Sequence, residues 1–536
     1  MHGLSRLFAG FAAFTAVLFP SSGDSAEIRF EDVTARAGLL GPLAGMMGHG
    51  GAVGDIDGDG DLDLFVGGFC DRPDAMYAPA TRPVPNMLFR NRGNGTFEPI
   101  ASAPAKFLSR TSGAVFADLD NNGTLELYVA NNRKNRAGSR TGVQRVATLC
   151  PSKLFRNDGK RLIDVSASSG ACPPSMGTAR NVGVFDYNGD GLLDLLLVED
   201  RFTRDPRSVL LRNLGNLRFE DASRDAGLPD DLFGLGLAVA DLNEDGRPDF
   251  FVGHSNRFFL STGDGKYREP PELKRCFAWE PLHNEDWPCG AAFGDLNRDG
   301  RLDMVLAIHC VRARNRIFIN DGLKRGVPQF RDVTDQVGLP AEVPAKCPHV
   351  EIQDFDNDGL PDLYFSAAWL DESGAVTPLV FRNTGLRGGL PRFESPRPVK
   401  APMVYFSTGP SGDFDGDGRI DLFLVNWFQQ NHSRLMRNVS PRRHWLDVQV
   451  VGSRINRMGI GTQIRVYRPG KVGQTDALLG FQEVSIGYGY AAGQAAVCHF
   501  GLGDATTVDV AVKLPDATVL IERSVTVDRR LVIRQP

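Results

Sequence analysis

Between residues 30 and 438 the chain repeats one alternation of apolar and polar stretches, with the period of strands rather than helices. Each unit offers an acidic loop bearing glycine, then an apolar run such as Asp63-Leu64-Phe65-Val66 or Asp194-Leu195-Leu196-Leu197-Val198. A variant of Leu-Phe-Arg-Asn follows at 88–91, 154–157, 210–213, 317–320, 380–383 and 435–438, and degenerates at 258–261. A Gly turn then leads into a variant of Phe-x-Asp-Val-Thr, as at 219–223 and 330–334. Short apolar runs bounded by Gly and Asp predict four strands per unit of about 60 residues, the size of a propeller blade.

The two ends of the repeat complement each other. The seventh unit stops at Asn438 without a last strand, while Phe30-Glu31-Asp32-Val33-Thr34 stands alone ahead of the first loop. The N-terminal strand should therefore complete the seventh blade, closing the ring and removing an exposed edge. From about residue 440 the acidic loops cease, and strands are expected at 445–451, 461–467, 481–486, 496–500, 508–514, 519–521 and 530–533. The expected fold is all-β, a seven-bladed β-propeller over residues 27–439 followed by a small β-sandwich-like domain over 440–536. Because that domain follows the closing unit, the ring is expected to fold without it.

The loops carry the chemistry. Acidic or amide side chains recur at loop positions 1, 3, 5 and 9, with Gly at position 6, and successive copies start 54 to 68 residues apart. The first holds Asp55, Asp57, Asp59 and Asp63; the second Asp118, Asp120, Asn122 and Glu126; the third Asp186, Asn188, Asp190 and Asp194. The fourth holds Asp241, Asn243, Asp245 and Asp249, and the fifth Asp295, Asn297, Asp299 and Asp303. The last two hold Asp354, Asp356, Asp358 and Asp362, then Asp413, Asp415, Asp417 and Asp421. Ca²⁺ takes six to eight oxygens, so a short loop must turn sharply to gather them, which Gly at position 6 permits. Position 12 is apolar in every copy (Val66, Val129, Leu197, Val252, Leu306, Phe365, Leu424), so these are not EF-hands but loops joining two strands. A plain Asp-Gly hairpin turn would not demand 24 carboxylates and four Asn over seven copies. Up to seven Ca²⁺ sites are expected.

Composition narrows the partners and the compartment. At 536 residues, 42% apolar and 23% charged, the chain reads as globular, and a net charge of -5 without a sustained Lys/Arg run gives no basic field for nucleic acid. Residues 1–26, with Arg6 ahead of an apolar run from Leu7 to Phe19, read as a signal peptide, too short to span a membrane. No other long apolar run is present, so a secreted or periplasmic protein without an integral membrane segment is expected. Eight Cys in such a chain read as a disulfide set. Their places between strands suggest Cys150–Cys172, Cys276–Cys289 and Cys310–Cys347, leaving Cys70 and Cys498 free.

Insertions at 70–86, 131–152, 272–290, 340–349 and 367–378 gather on the face opposite the acidic loops, where binding sites are usually built. His49, His254, His309 and His349 fall at strand ends on that face, more plausibly as separate wall residues than as one metal cluster. Trp279, Trp287, Trp369 and Trp427 lie near it and could serve packing or a sugar platform.

The acidic loops with their following strands resemble the FG-GAP or VCBS repeats of integrin alpha subunits and of many exported bacterial proteins. That resemblance implies a seven-bladed propeller with calcium in the loops between the first two strands of each blade. His444-Trp445-Leu446, Asn456 to Gly461, Gly487-Tyr488-Gly489-Tyr490 and His499 to Gly503 look like the ASPIC/UnbV domain. The combination makes the chain similar to bacterial relatives of cartilage acidic protein 1. The expected role is a calcium-binding interaction scaffold with a protein or carbohydrate ligand on the face opposite the loops. The alternative is a polysaccharide lyase or hydrolase with its site at the propeller mouth, although no nucleophile elbow, H-E-x-x-H or phosphate loop occurs.

Overall fold

A computed structural model describes residues 28–101, 103–132, 150–200, 205–283, 285–396 and 399–536. The expected signal peptide lies outside the described residues, as does most of the expected insertion at 131–152. Seven antiparallel sheets follow one another, beginning with Gly48–Gly54, Thr111–Ala117, Ala179–Phe185, Gly234–Ala240, Trp287–Gly294, Val350–Gln353 and Ser411–Gly412. Each takes its four strands in chain order, except the seventh, whose outer strand is Phe30–Asp32. The first strands are buried along most of their length, as the innermost strands of a β-propeller must be.

The ring closes at the place the sequence indicates. Phe30 pairs with Asn438, Glu31 with Arg437 and Asp32 with Met436. The Asp-x-Thr end of the motif then turns the chain: Asp32 accepts the Thr34 N–H at 3.0 Å, and Thr34 Oγ1 accepts the Leu435 N–H at 3.0 Å. The same device recurs at Asp221/Ser223 and Asp332/Thr334, which explains why the motif ends in Asp-x-Thr or Asp-x-Ser. Deleting residues 28–34 should uncover the N–H and C=O groups of Arg434–Asn438 and lower the melting temperature by several degrees, measurable by thermal unfolding.

Two sheets make up the C-terminal region. One orders Cys498–Gly503, His444–Val451 and Arg529–Arg534; the other orders Leu478–Glu483, Gln463–Tyr467, Thr507–Lys513 and Val519–Thr526. All seven strands expected there are found, with bounds shifted by a few residues.

The expectation that this region stands outside the ring is overturned. Leu446, Val448, Ile464 and Val510 share one buried core with Val182, Leu195 and Val239 of the propeller. Residues 484–495 enter the space enclosed by the first strands. The Gly489 N–H donates to the carbonyls of Leu237 at 2.9 Å and Ala291 at 3.0 Å, Gly51 N–H donates to Ala491, and Ala492–Gly493 pairs parallel with Gly51–Ala52. The stretch Gly487 to Tyr490, part of the resemblance to the ASPIC/UnbV domain, gave no sign in sequence of entering the ring. The glycines are what lets a chain pass between strands: Gly489 has φ +77°, and a Cβ there would lie 2.3 Å from His349 Nδ1.

Two further expectations are corrected. Residues 367–378 are not a loop insertion, since Asp362–Leu370 continues against Val376–Arg387 as a long hairpin to which Met403–Tyr405 adds. None of the three disulfides is formed, all eight cysteines being thiols. Cys276 approaches the Phe330 carbonyl, whereas Cys289 is buried with Leu235 and Tyr490, so these two face different cores. Cys150 and Cys172 both come near Lys153, and Cys310 and Cys347 share one core, in each case without a bond.

Candidate functional site

The seven acidic loops each join the first two strands of a sheet and are built alike. Position 4 and position 6 are left-handed throughout: in the first loop Gly58 has φ +79° and Gly60 φ +96°, in the sixth Asn357 has φ +54° and Gly359 φ +86°. Position 1 folds the loop around itself, Asp354 accepting the N–H groups of Asp358 at 3.0 Å and Gly359 at 2.6 Å. Position 5 caps the turn, as Asp358 does for the Leu360 N–H at 2.9 Å.

Position 9 does something the sequence did not disclose. In every loop its carboxylate is buried and accepts two backbone N–H groups, one from position 2 and one from the end of the third strand. Asp362 takes Phe355 at 3.0 Å and Asn383 at 2.7 Å; Asp63 takes Ile56 at 2.9 Å and Asn91 at 2.8 Å. The third-strand N–H is backbone, and Ser261 supplies it equally well to Asp249 at 2.8 Å, so the Asn that ends Leu-Phe-Arg-Asn is explained by its side chain. In most units the Asn amide reaches to the preceding sheet: Asn157 donates to the Ile56 carbonyl at 2.7 Å, Asn213 to Leu119 at 2.7 Å and Asn438 to Phe355 at 2.7 Å, whereas Asn320 donates to Leu302 of its own loop at 3.3 Å. Asn91 reaches the Phe414 carbonyl at 2.8 Å, so the same latch spans the closure between the first and seventh sheets. In the degenerate fourth unit Ser261 replaces Asn and cannot reach. Six Asn at the same place in seven units was the available signal.

Positions 1, 3 and 9 converge. Asp55, Asp57 and Asp63; Asp118, Asp120 and Glu126; Asp354, Asp356 and Asp362; and Asp413, Asp415 and Asp421 each bring three carboxylate oxygens within 4.8 Å of one another. In the third, fourth and fifth loops position 3 is Asn, and its amide donates to position 5: Asn188 to Asp190 at 2.8 Å, Asn243 to Asp245 at 3.0 Å, Asn297 to Asp299 at 3.0 Å.

Burial works against these charges. It pushes the carboxyl of Asp63 up to about 7, Asp118 to about 6 and Glu126 to about 8, with neighbouring acids adding to the shift. Asp194, Asp249, Asp303, Asp362 and Asp421 are raised well above the carboxylate range for the same reason. Asp356 Oδ1 and Asp415 Oδ1 are buried without any hydrogen-bond donor. Crowded hard oxygens, some lacking a donor, fit a hard divalent cation such as Ca²⁺.

The C-terminal region rests on this loop face. Arg457 N–H donates to Asn121 at 2.9 Å, Arg530 to the Gly60 carbonyl at 3.0 Å and Arg443 to the Asp356 carbonyl at 3.1 Å, and His499 Nε2 lies 2.7 Å from Asn357 Oδ1. The Glu483 carboxylate accepts the Asp241 N–H. A cavity of about 140 Å³ remains between them, lined by Asp354, Asp413, Glu483, His499 and Arg530.

From the cap, residues 484–495 reach toward the opposite mouth. Tyr490 N–H donates to His349 Nδ1 at 3.0 Å, which leaves His349 Nε2 as donor to Glu351 at 2.9 Å. Tyr488 at 2.8 Å and Gln494 at 2.9 Å also donate to Glu351, while the Tyr490 hydroxyl meets His49 at 3.1 Å. His254 and His309 stack on the two sides of Trp287, with ring centroids 5.0 and 5.5 Å away. The histidines thus form two pairs, each organised by an aromatic, and no three-ligand group among the described residues includes them. Trp287 lies in a sandwich and Trp427 packs on His49, Phe69 and Arg72, so both serve packing.

Burial, then the Lys346 charge, lowers His309 to about 3. A depressed histidine leaves its stability intact above its unfolded pKa and loses it as pH falls, because the unfolded chain takes the proton first. Between pH 7.5 and 5 this contributes about 2 kcal/mol, so the stability gap between the parent and His309→Gln should narrow by that amount in denaturant titrations.

With the geometry in place, comparison assigns both regions. The FG-GAP-like repeat description matches residues 71–129, 186–252 and 295–365, and the ASPIC and UnbV description matches 452–536. The chain carries FG-GAP-like repeats and an ASPIC and UnbV domain. Human cartilage acidic protein 1 is 25% identical over 498 residues, 88% of this chain and 70% of that protein, and the mouse protein is 25% identical over 507 residues, 89% and 72%. Among solved structures, an Agrocybe aegerita lectin that recognises non-reducing terminal N-acetylglucosamine aligns with TM-score 0.42 and 20% identity, covering 76% of this chain and 89% of its own. An exotype rhamnogalacturonan lyase aligns with TM-score 0.38 and 13% identity, covering 91% and 73%. No helix of the described residues is long and apolar enough to cross a membrane.

Proposed function

We propose that this protein is an exported, calcium-binding seven-bladed propeller (27–439) that works as an interaction scaffold, with its ASPIC and UnbV domain (440–536) as a built-in cap. The calcium ions, up to seven, are structural: positions 1, 3, 5 and 9 would hold them and the ion would supply charge compensation within each loop. The observation that carries the reading is the cap itself. Residues of the C-terminal region occupy the loop face and the channel, which leaves the insertion-bearing face for a partner. That face displays apolar side chains without cover, Leu282 56%, Val311 61% and Phe428 38% exposed. These side chains offer apolar contact to a protein or carbohydrate ligand. Parent protein and a Leu282→Asp/Val311→Asp/Phe428→Asp variant, both loaded with calcium, should be compared on protein and glycan arrays. A ligand bound by the parent and lost by the variant supports the reading; a ligand bound equally by both places the site elsewhere and overturns it.

A further inference from the structure

At position 3 the seven loops divide into two chemical types. Asp57, Asp356 and Asp415 each meet an arginine from the third strand of their own sheet, the Arg of Leu-Phe-Arg-Asn. Its Nε lies 2.7 Å from Asp57 Oδ2 for Arg90, 2.6 Å from Asp356 Oδ2 for Arg382 and 2.5 Å from Asp415 Oδ2 for Arg437. Arg382 and Arg437 also bridge to position 5, at 2.6 Å from Asp358 and 3.2 Å from Asp417. Where position 3 is Asn, its own amide makes that bridge, and the third strand carries Arg212, Leu260 or Ile319 instead. Arg212 turns away to Glu220. Only the second loop, with Asp120 and Asn122, uses neither arrangement.

The arginine therefore accompanies the fourth carboxylate. It engages one oxygen of Asp356 and Asp415, and the other oxygen of each is buried with no donor, in a group whose acids approach within 4.8 Å. An arginine placed so holds the carboxylate's orientation and offsets part of the mutual repulsion that a cation would otherwise have to offset. The three loops so equipped belong to the sixth, seventh and first sheets, which are neighbours around the closure.

We propose that Arg90, Arg382 and Arg437 are positioning residues that act as resident cations, keeping the closure-side loops in form when calcium leaves. The loops of the third and fourth sheets have no such arginine, and the fifth has one at position 5 alone, Arg301 beside Asp299 at 2.5 Å, so these loops depend more on the metal. The inference rests on the calcium reading given above. Its consequence is graded release: on calcium depletion the arc opposite the closure loosens first, and the ring stays shut where its two chain ends meet.

The test compares the full-length parent with Arg382→Gln by calcium titration calorimetry and by thermal unfolding in chelator. Removing the arginine should tighten calcium at one site by about tenfold, since a competing positive charge is gone, and should lower the chelated melting temperature more than the calcium-loaded one. Unfolding of the variant in chelator with recovery on adding calcium is the extreme form of the same result. The double variant Asp356→Asn/Arg382→Gln, which copies the amide type of loop, should depend on calcium as the third and fourth loops do, its chelated melting temperature staying below the parent's. An Arg382→Gln protein that binds calcium no tighter, or that is equally stable in chelator, overturns the inference. A parent that shows no calcium heat and no thermal response overturns the calcium reading itself, so the two failures are told apart.

Discussion

Chelating divalent cations should lower the melting temperature by about 10 °C or more, the largest solution effect expected of this protein. A ligand bound only by the folded state contributes RT ln(1 + [L]/Kd), about 2.7 kcal/mol per site at a hundredfold excess over Kd. Several such sites compare with the ~5–15 kcal/mol net stability of a typical domain. Without the ion, buried acids such as Asp362 and Asp421 must take a proton or stand as uncompensated charge. The sign of the pH dependence follows. A carboxyl raised by folding lends its stability below its unfolded pKa and loses it as pH climbs through the folded value. The chelated protein should weaken from about pH 4, where the unfolded acids titrate, up to about pH 6, 7 and 8, where folded Asp118, Asp63 and Glu126 do, and the gain on adding calcium should grow as the folded acids give up their protons. Thermal scans in chelator and in calcium at pH 5.5 and 8 measure both; equal melting temperatures in the two conditions would sink the idea. Replacing Asp415 and Asp417 with Ala should remove one site beside the closure and cost part of the same stabilisation.

The ring was legible because its information is local and repeated. Position 9 stands at the start of the second strand in all seven units, so one reading of Asp63 served for Glu126 and Asp194, and the orphan motif at Phe30 declared the closure. What was not legible is long-range and unrepeated. Nothing beside Gly489 in sequence announces Leu237, Ala291 and His349, which lie between 140 and 252 residues away and meet it only after two folding events have both occurred. Asn157 and its counterparts fall between these cases. Their recurrence was visible, but their purpose needs two sheets at once, since the amide spans from its own loop to the carbonyl of Ile56 in the sheet before. The cysteine pairings failed for a related reason: places between strands fix which face a residue is on, not which core it enters, and Cys276 and Cys289 enter different ones.

Removing residues 440–536 is expected to abolish the folded propeller, against the simple reading that a region following the closing strand is dispensable. The deletion leaves Glu351, fully buried, without the Tyr488 and Gln494 donors, and His349 without the Tyr490 N–H. Each buried polar group so orphaned costs about 1–3 kcal/mol. It also strips the apolar cover from Val182, Leu195 and Val239, which share a core with Val448 and Val510. A subtler variant separates the channel segment from the cap. Gly489→Val keeps both C-terminal sheets but sets a side chain where φ is +77° and a Cβ would stand 2.3 Å from His349, so residues 484–495 should be expelled while the domain still folds. Limited proteolysis should then cut between the cap and the ring, and Tyr490 should become accessible to chemical modification. A truncated protein that melts within a few degrees of the parent in calcium would show that the ring holds its own centre, and the segment would then have to be explained by what it brings to the mouth, Tyr490 at His49, rather than by what it stabilises.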